Sequence, residues 1–177
     1  MDVVNIIIYF MKNSSVVRKQ QVVWYLIFGQ ALLAFLGSLY LSNFGDPLNN
    51  IAAGEFFSTA RALDPCHLCW WARILMYPIL LISLVGIIKK DKRFTDYILP
   101  LAVPGVLLAL YHYSIQMFPA ESDFGASAVC DVTNPCNAIN LLYLDFITIP
   151  FMGLVAFAVI TVLCLLNWHY NRQSPQS

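Results

Sequence analysis

Apolar residues are concentrated in four stretches that are separated by short polar segments. The stretches cover residues 22–41, 69–88, 97–118 and 147–166. A helix of about 20 residues is long enough to cross the hydrocarbon core of a bilayer, which is ~30 Å thick. Backbone groups in lipid must bond within the chain, and the sequence has no alternating barrel pattern, so helices are the expected spanning element. The pattern predicts an all-α membrane protein, a bundle of four transmembrane helices.

This pattern divides the chain into one membrane domain and two short ends. We expect a single four-helix domain at 22–168, a tail at 169–177, and an interfacial or poorly ordered lead-in at 1–21. In the lead-in the positive charges follow the apolar part, which is the reverse of a signal peptide, so the first spanning helix should stay in the mature protein. Segments 49–62 and 137–146 mix apolar and polar residues, which predicts short helices along the membrane surface.

Composition supports a membrane protein and argues against a nucleic-acid partner. Hydrophobic residues make up 59% of the chain and charged residues 11%. A soluble domain is closer to about 25% charged. The net charge is zero, and the sequence has no basic block of the kind that follows a phosphate backbone.

The positive charges predict how the bundle is oriented. Of the ten Lys and Arg residues, most flank the stretches on one side: Lys12, Arg18, Lys19, Lys89, Lys90, Lys92, Arg93 and Arg172. Short loops rich in Lys and Arg stay in the cytoplasm. Both termini and the 89–96 loop are therefore predicted to be cytoplasmic, and the loops at about 42–65 and 119–146 to face outward.

With this orientation, the five cysteines divide into two outward pairs and one buried residue. Cys66 and Cys69 form one pair, and Cys130 and Cys136 form the other. Disulfides persist outside the cytoplasm, so these pairs lie where thiol oxidation is favoured. Cys164, in the fourth stretch, is interpreted as a small apolar packing residue.

The first pair lies at a predicted helix start. Asp64 can cap the helix and Pro65 suits its first turn, which would place Cys66 in that turn near the positive end of the dipole, where a thiolate is stabilised. Two intervening residues allow Cys66 and Cys69 to bridge, but so small a ring adds little stability. The spacing therefore favours redox or metal chemistry over a structural staple.

Two further residues are candidates for the same site. Arg73 lies one turn beyond Cys69 on the same face, where an arginine within a membrane helix is either functional or directed towards the interface. His112, between two tyrosines, is either a hydrogen-bonding or proton-relay residue or an ordinary interfacial aromatic.

The run from Cys66 to Pro78, Cys-His-Leu-Cys-Trp-Trp-Ala-Arg-Ile-Leu-Met-Tyr-Pro, resembles a known family. It is similar to the run that opens the second helix in the DsbB family of disulfide-forming membrane proteins, above all its BdbC-like branch. The resemblance covers nearly the whole chain. The five-residue gap between Cys130 and Cys136 matches that branch and departs from the longer loop of the best-known members.

The resemblance implies an enzyme of the bacterial inner membrane. It would reoxidise a soluble extracytoplasmic thioredoxin-fold thiol oxidase, DsbA-like or BdbD-like, and pass the electrons to ubiquinone or menaquinone. Cys130 and Cys136 would face the soluble partner, with Cys130 forming the mixed disulfide. Cys66 and Cys69 would be the inner pair, with Arg73 beside the quinone, and His112 is a further quinone-binding candidate. No metal cofactor is expected.

Three alternatives remain open from the residues alone. Both cysteine pairs together could form a four-thiolate zinc site. The chain could instead be a structural four-span protein whose outer loops are stapled by disulfides. A vitamin-K-epoxide-reductase-like enzyme is a third alternative, although there the Cys-x-x-Cys motif should lie on the last helix.

Overall fold

The computed structural model describes residues 3–54, 62–118, 136, 139 and 141–173, with side chains from Arg18 to Arg172. Within these residues the chain forms five helices: α1 (Val3–Phe44), α2 (Pro47–Ala52), α3 (His67–Lys89), α4 (Phe94–Met117) and α5 (Ile149–Gln173). The described part holds no strand, only an isolated antiparallel bridge between Tyr143 and Ile147. The all-α prediction is confirmed.

Four of the helices are long and apolar enough to cross a membrane, with α1 counted from Arg18. Their bounds differ from those expected at the helix ends. Helix α1 runs unbroken from Val3 through the segment that we expected to be a lead-in. The physical reason is that 3–28 contains neither Gly nor Pro, so no residue interrupts the helical hydrogen bonds. The cytoplasmic placement of the termini stays a prediction.

The long helices form a ring in which chain neighbours are also neighbours in space. Helix α3 packs against α1 and α4, while α5 packs against α4 and returns to α1. Ile27, Ile79, Ile98 and Ile160 are fully buried at the centre. The outer faces carry large exposed apolar side chains on every long helix, such as Leu33, Leu81, Leu107 and Val162. Exposed apolar faces of this extent suit contact with lipid rather than water.

Two glycines let helices approach closely. A Cβ added to Gly105 on α4 would lie 2.3 Å from Cε1 of Phe157 on α5, and one added to Gly86 would lie 2.4 Å from Cγ of Phe94. Small residues at such contacts are typical of membrane helix packing, where close van der Waals contact drives association. The two glycines are therefore packing positions rather than flexible ones.

A buried polar network joins three helices at the end of the bundle away from the cysteines. The Oδ1 atom of Asn167 on α5 accepts a hydrogen bond from Nε1 of Trp24 on α1, 2.8 Å away. Its Nδ2 donates to Oγ1 of Thr95 on α4, at 2.9 Å, and to the carbonyl of Lys92, at 3.1 Å. Asn167 is fully buried, so this one amide holds α1, α4 and α5 together.

The connections at the cysteine end, residues 45–66 and 118–148, agree with the prediction only in part. Helix α2 covers part of the expected interfacial segment 49–62, whose residues 55–61 lie outside the described residues. The prediction of a helix at 137–146 is wrong for residues 141–146, which the structure describes. There the chain turns through Leu144 and Asp145, whose positive φ angles of 51° and 62° cannot continue a right-handed helix.

Replacing Asn167 by Ala should destabilise the bundle. It leaves the Trp24 and Thr95 polar groups buried without their partner, which costs about 1–3 kcal/mol. Reversible unfolding in mixed micelles measures the loss. Asn43→Ala is the matched control, because the Asn43 side chain is exposed and bonds within its own helix. Equal stability of the two variants would contradict the assigned role of the network.

Candidate redox site

Cys66 lies at the junction between an extended segment and α3. It is the N-cap, with φ −64° and ψ 168°, and its carbonyl accepts the hydrogen bond of Trp70 N at 3.1 Å. The helix cap thus lies two residues later than predicted, at Cys66 instead of Asp64, and Cys66 precedes the first turn instead of lying in it. The cause lies upstream, where Leu63 N bonds the carbonyl of Leu41 on α1 and holds the approach to α3 extended.

The first cysteine pair is ready to form a bond. The Sγ atoms of Cys66 and Cys69 are free thiols 2.9 Å apart. A disulfide bond is about 2.05 Å long, so the sulfurs need to approach by less than ~1 Å. Cys66 is buried at 8% exposure, and Cys69 is partly buried beside it. The spacing in the sequence therefore does bring the two thiols together.

His112 lies between Cys66 and Cys136. Its Nε2 atom is 3.6 Å from Sγ of Cys66 and 3.2 Å from the carbonyl oxygen of Cys136. The His112 side chain is 4% exposed. Cys136 is disulfide-bonded. The predicted partner pair is only partly visible, because Cys130 lies outside the described residues.

The surroundings of Cys66 favour its thiolate. The hydrogen bond with the Cys69 thiol is the largest influence, and the hydrogen bond and charge of His112 add to it, while burial acts in the opposite direction. Together they hold the pKa of Cys66 well below its ordinary value. The sulfur nearest His112 therefore has the larger thiolate fraction in the reduced pair, and it leaves more readily from a mixed disulfide.

A cavity of about 620 Å³ extends from this pair into the apolar interior. The four long helices all contribute to its wall, which includes every described member of the predicted site: Cys66, Cys69, Arg73, His112 and Cys136. Most of the remaining wall is apolar, with Leu, Met, Ala and Phe side chains. A mostly apolar cavity of this size with a few convergent polar groups is typical of a small-molecule site.

Arg73 is held against α1 inside the bundle. Its Nη2 donates to the carbonyl of Ser38, at 3.3 Å, and to the hydroxyl of Ser42. The guanidinium also lies over the ring of Trp70, 5.4 Å from its centroid. These contacts supply partners for the partly buried guanidinium and keep it at the cavity wall instead of extended to the bundle end.

Sequence reasoning missed the residues that position this arginine. Ser38 and Ser42 are four residues apart, so they share one face of α1, and two hydroxyls at that spacing in an apolar helix were the available signal.

A second contact that was not predicted from the sequence joins two connecting segments at the cysteine end of the bundle. The hydroxyl of Tyr143 donates to Asp46, which also accepts from Leu48 N at 3.0 Å and caps α2. Burial, and then the hydrogen bond to Asp46, raise the pKa of Tyr143 to about 12. Tyr143 is therefore a neutral donor at physiological pH, and it joins the segment before α5 to the one after α1.

Comparison with known proteins agrees with the family resemblance of the sequence. The family model described as "Disulfide bond formation protein DsbB" matches residues 20–167. The chain belongs to the DsbB family. It is 38% identical over 138 residues to disulfide bond formation protein C of Bacillus subtilis, covering 77% of this chain and 86% of that one. It is 37% identical over 145 residues to probable disulfide formation protein C 1 of Bacillus cereus, covering 82% and 91%. No solved structure matches the chain.

Family membership confirms the predicted resemblance and the coarse activity. The chain is a disulfide-forming thiol oxidoreductase and a multi-pass membrane protein of bacteria. A third relative, the SPbeta prophage-derived disulfide bond formation protein B of Bacillus subtilis, is 41% identical over 127 residues, which cover 71% of this chain and 79% of that one. A purely structural four-span protein and a vitamin-K-epoxide-reductase-like enzyme are both disfavoured by this assignment.

Proposed function

We propose that this DsbB-family protein reoxidises an extracytoplasmic thioredoxin-fold dithiol oxidase and passes the electrons to a membrane quinone, ubiquinone or menaquinone. The observation that carries the proposal is the cavity. Cys66, Cys69 and Cys136 share its wall with Arg73, and the cavity reaches from the cysteine end into the apolar bundle. One site thereby borders both thiol chemistry and a space suited to a lipid-soluble acceptor.

The charge distribution supports the orientation that this role needs. The loop between α3 and α4 and the two chain ends carry most of the Lys and Arg residues, so we place them in the cytoplasm. The cysteines then open to the extracytoplasmic side. A soluble partner can meet the protein there, whereas a quinone reaches the cavity from the lipid.

The first exchange takes place at the pair that we assign to the partner, Cys130 and Cys136. A partner thiolate attacks Cys130, and Cys136 leaves as a thiolate. The second partner thiol then attacks the mixed disulfide, so the partner gains a disulfide bond while Cys130 and Cys136 gain two electrons and the two protons of the partner dithiol. The pair is then a dithiol.

The second exchange carries these electrons to the inner pair. Cys66, Cys136 and His112 lie in one buried group, and His112 contacts both Cys66 Sγ and the Cys136 carbonyl. We therefore assign Cys66 as the sulfur that Cys136 attacks, with Cys69 as the leaving thiolate. Attack by Cys130 on the mixed disulfide restores the outer bridge and leaves Cys66 and Cys69 as a dithiol.

The residues around the cavity fit a quinone. Its apolar walls suit the ring and the isoprenoid tail, and Arg73 supplies a charged hydrogen-bond donor for a ring oxygen. A quinone supplies a two-electron, two-proton acceptor, which allows the dithiol of Cys66 and Cys69 to return to a disulfide. His112, which touches Cys66, is placed to take up or give back the thiol proton.

The rival four-thiolate zinc centre fits this structure poorly. It requires Cys136 as a thiolate ligand, but Cys136 is disulfide-bonded while Cys66 and Cys69 are free thiols. It also gives Arg73 no role at the cavity wall. No observation favours it over electron transfer.

Turnover tests the proposal directly. Purified protein, a reduced thioredoxin-fold partner and a soluble quinone should together give continuous quinone reduction, followed by quinone absorbance. Cys69→Ser should abolish it, because the inner disulfide can no longer form, whereas Cys164→Ser, at a buried cysteine away from the cavity, should retain it. An inactive parent protein, or a Cys69→Ser variant as active as the parent, would refute the proposal.

Arg73→Ala should raise the apparent KM for quinone while leaving exchange with the partner intact. Loss of one hydrogen bond to a charged donor costs about 1.5–3 kcal/mol, which corresponds to an increase of about 10-fold to 100-fold. Arg172→Ala is the matched control, because Arg172 also lies over a tryptophan ring but at the opposite end of the bundle. Slower partner exchange with unchanged quinone kinetics would show that Arg73 acts elsewhere.

Gly153→Leu should narrow the cavity. Gly153 lines it, and an added Cβ would meet no atom within 4 Å, so the new side chain occupies space that we assign to quinone. Apolar pockets discriminate single methylenes by about 10-fold to 200-fold, so we expect the KM for quinone to rise at least about 10-fold.

Gly29→Leu is the control for this variant. Gly29 also has open space around its Cβ position, but it is not part of the cavity wall, and the gain in helix propensity is the same. Equal KM values for the two leucine variants would exclude the cavity as the quinone site.

A further inference from the structure

Two sulfurs and one ring nitrogen converge at the head of the cavity. The Sγ atoms of Cys66 and Cys69 and a ring nitrogen of His112 all lie within 4.8 Å of one another. Within the described part of the chain, these three side chains place their ligand atoms close enough together to hold one metal ion. They belong to two helices, because the cysteines lie at the start of α3 and the histidine on α4.

The three atoms have the chemistry and spacing of a zinc site. Thiolate and imidazole are preferred zinc ligands, at about 2.3 Å and 2.0–2.1 Å, and tetrahedral angles then place sulfur and nitrogen ~3.5 Å apart and two sulfurs ~3.8 Å apart. Cys66 Sγ and His112 Nε2 already lie 3.6 Å apart. The two sulfurs, now 2.9 Å apart, need to separate by about 0.9 Å, which small side-chain rotations allow.

A fourth ligand is also at hand. The carbonyl oxygen of Cys136 lies 3.2 Å from Nε2 of His112, near the spacing of two ligands of one tetrahedral ion. When Nε2 binds a metal it gives up its hydrogen bond to this carbonyl. The oxygen, or a water from the cavity, can then complete the coordination.

We propose that Cys66, Cys69 and His112 form a binding site for zinc(II) that exists only while the cysteine pair is reduced. Binding joins the metal to two thiolate sulfurs and one neutral imidazole. Any proton still on a thiol or on the ligating nitrogen leaves for water, and no electron is transferred. In the disulfide both sulfurs are bonded to each other and neither is a thiolate, so the oxidised pair offers no site.

This binding has a consequence for turnover, which rests on the proposed function. Zinc holds the inner pair as thiolates, and the same reduced pair is the form that must deliver electrons to quinone. Zinc and quinone therefore compete for one state of the enzyme. We expect added zinc to raise the apparent KM for quinone and to have little effect when quinone is saturating.

Cobalt(II) is the probe for binding, because its thiolate charge-transfer and tetrahedral ligand-field bands report its ligands. The full-length protein in detergent is reduced, freed of reductant without oxygen, and titrated with cobalt and then zinc. One equivalent should bind to the reduced protein and none to the oxidised protein, and zinc should displace the cobalt. Reduced protein without thiolate–cobalt bands, or equal binding in the oxidised state, would overturn the proposal.

Substitutions of the proposed ligands test which residues bind the metal. Cys69→Ser and His112→Ala should each weaken binding by at least about 10-fold, since even supporting residues of metal sites cost 10-fold to 100-fold. Cys164→Ser should bind as the parent does. The double variant Cys130→Ser/Cys136→Ser should also bind, and loss of binding there would point to a four-thiolate centre in place of the proposed site.

A second measurement needs only the parent protein. Zinc should protect Cys66 and Cys69 of the reduced protein from alkylation, as read by peptide mass spectrometry, and a chelator should restore their reactivity. Unprotected alkylation of both would refute the site even if a variant fails to fold. Neither binding measurement uses the partner or quinone, so a failure of the proposed function and a failure of the zinc site give different results.

Discussion

The bilayer offers no water to buried polar groups, and this constraint decides where the long helices meet. At one end of the bundle a single amide, that of Asn167, bonds α1, α4 and the Lys92 carbonyl. Near the other end Arg73 bonds the carbonyl of Ser38 and the hydroxyl of Ser42, which joins α3 to α1. Because the helices are joined by polar contacts towards both ends, the space between them can remain partly open, and that space is the cavity.

The lack of water for polar groups inside the bilayer also bears on how Arg73 can take part in the proposed quinone binding. An arginine without partners in an apolar interior is too costly to retain, whereas one already bonded to α1 can lie at the cavity wall. His112 also has partners, since it contacts the Cys66 thiol and the Cys136 carbonyl at the cysteine end of the cavity. The proposed exchange, the proposed quinone site and the proposed zinc site all depend on this one arrangement of α1, α3 and α4.

The four spanning helices and the closeness of the first two cysteines could be predicted from the sequence. The length of an apolar stretch and the spacing of two cysteines are local properties of the chain. Four stretches of spanning length imply four helices, and two intervening residues bring Cys66 and Cys69 within bonding reach. Predictions that depended on helix ends were less accurate. Helix α1 extends back to Val3, since nothing in 3–28 interrupts it. Helix α3 begins after Cys66, because a bond from Leu63 to α1 holds the approach to α3 extended. That bond joins residues distant in the chain, so no local pattern indicates it.

The sequence by itself therefore determined the class of the protein, its family and the cysteine pair at its centre, since hydropathy, charge bias and motif spacing act over a few turns of chain. Only the tertiary structure decided that His112 contacts Cys66 and the Cys136 carbonyl, that Ser38 and Ser42 bond Arg73, and that a cavity lies between the helices. Each of these contacts depends on how separate helices are rotated and tilted against one another. Such angles arise from the packing of whole faces, which no single segment encodes.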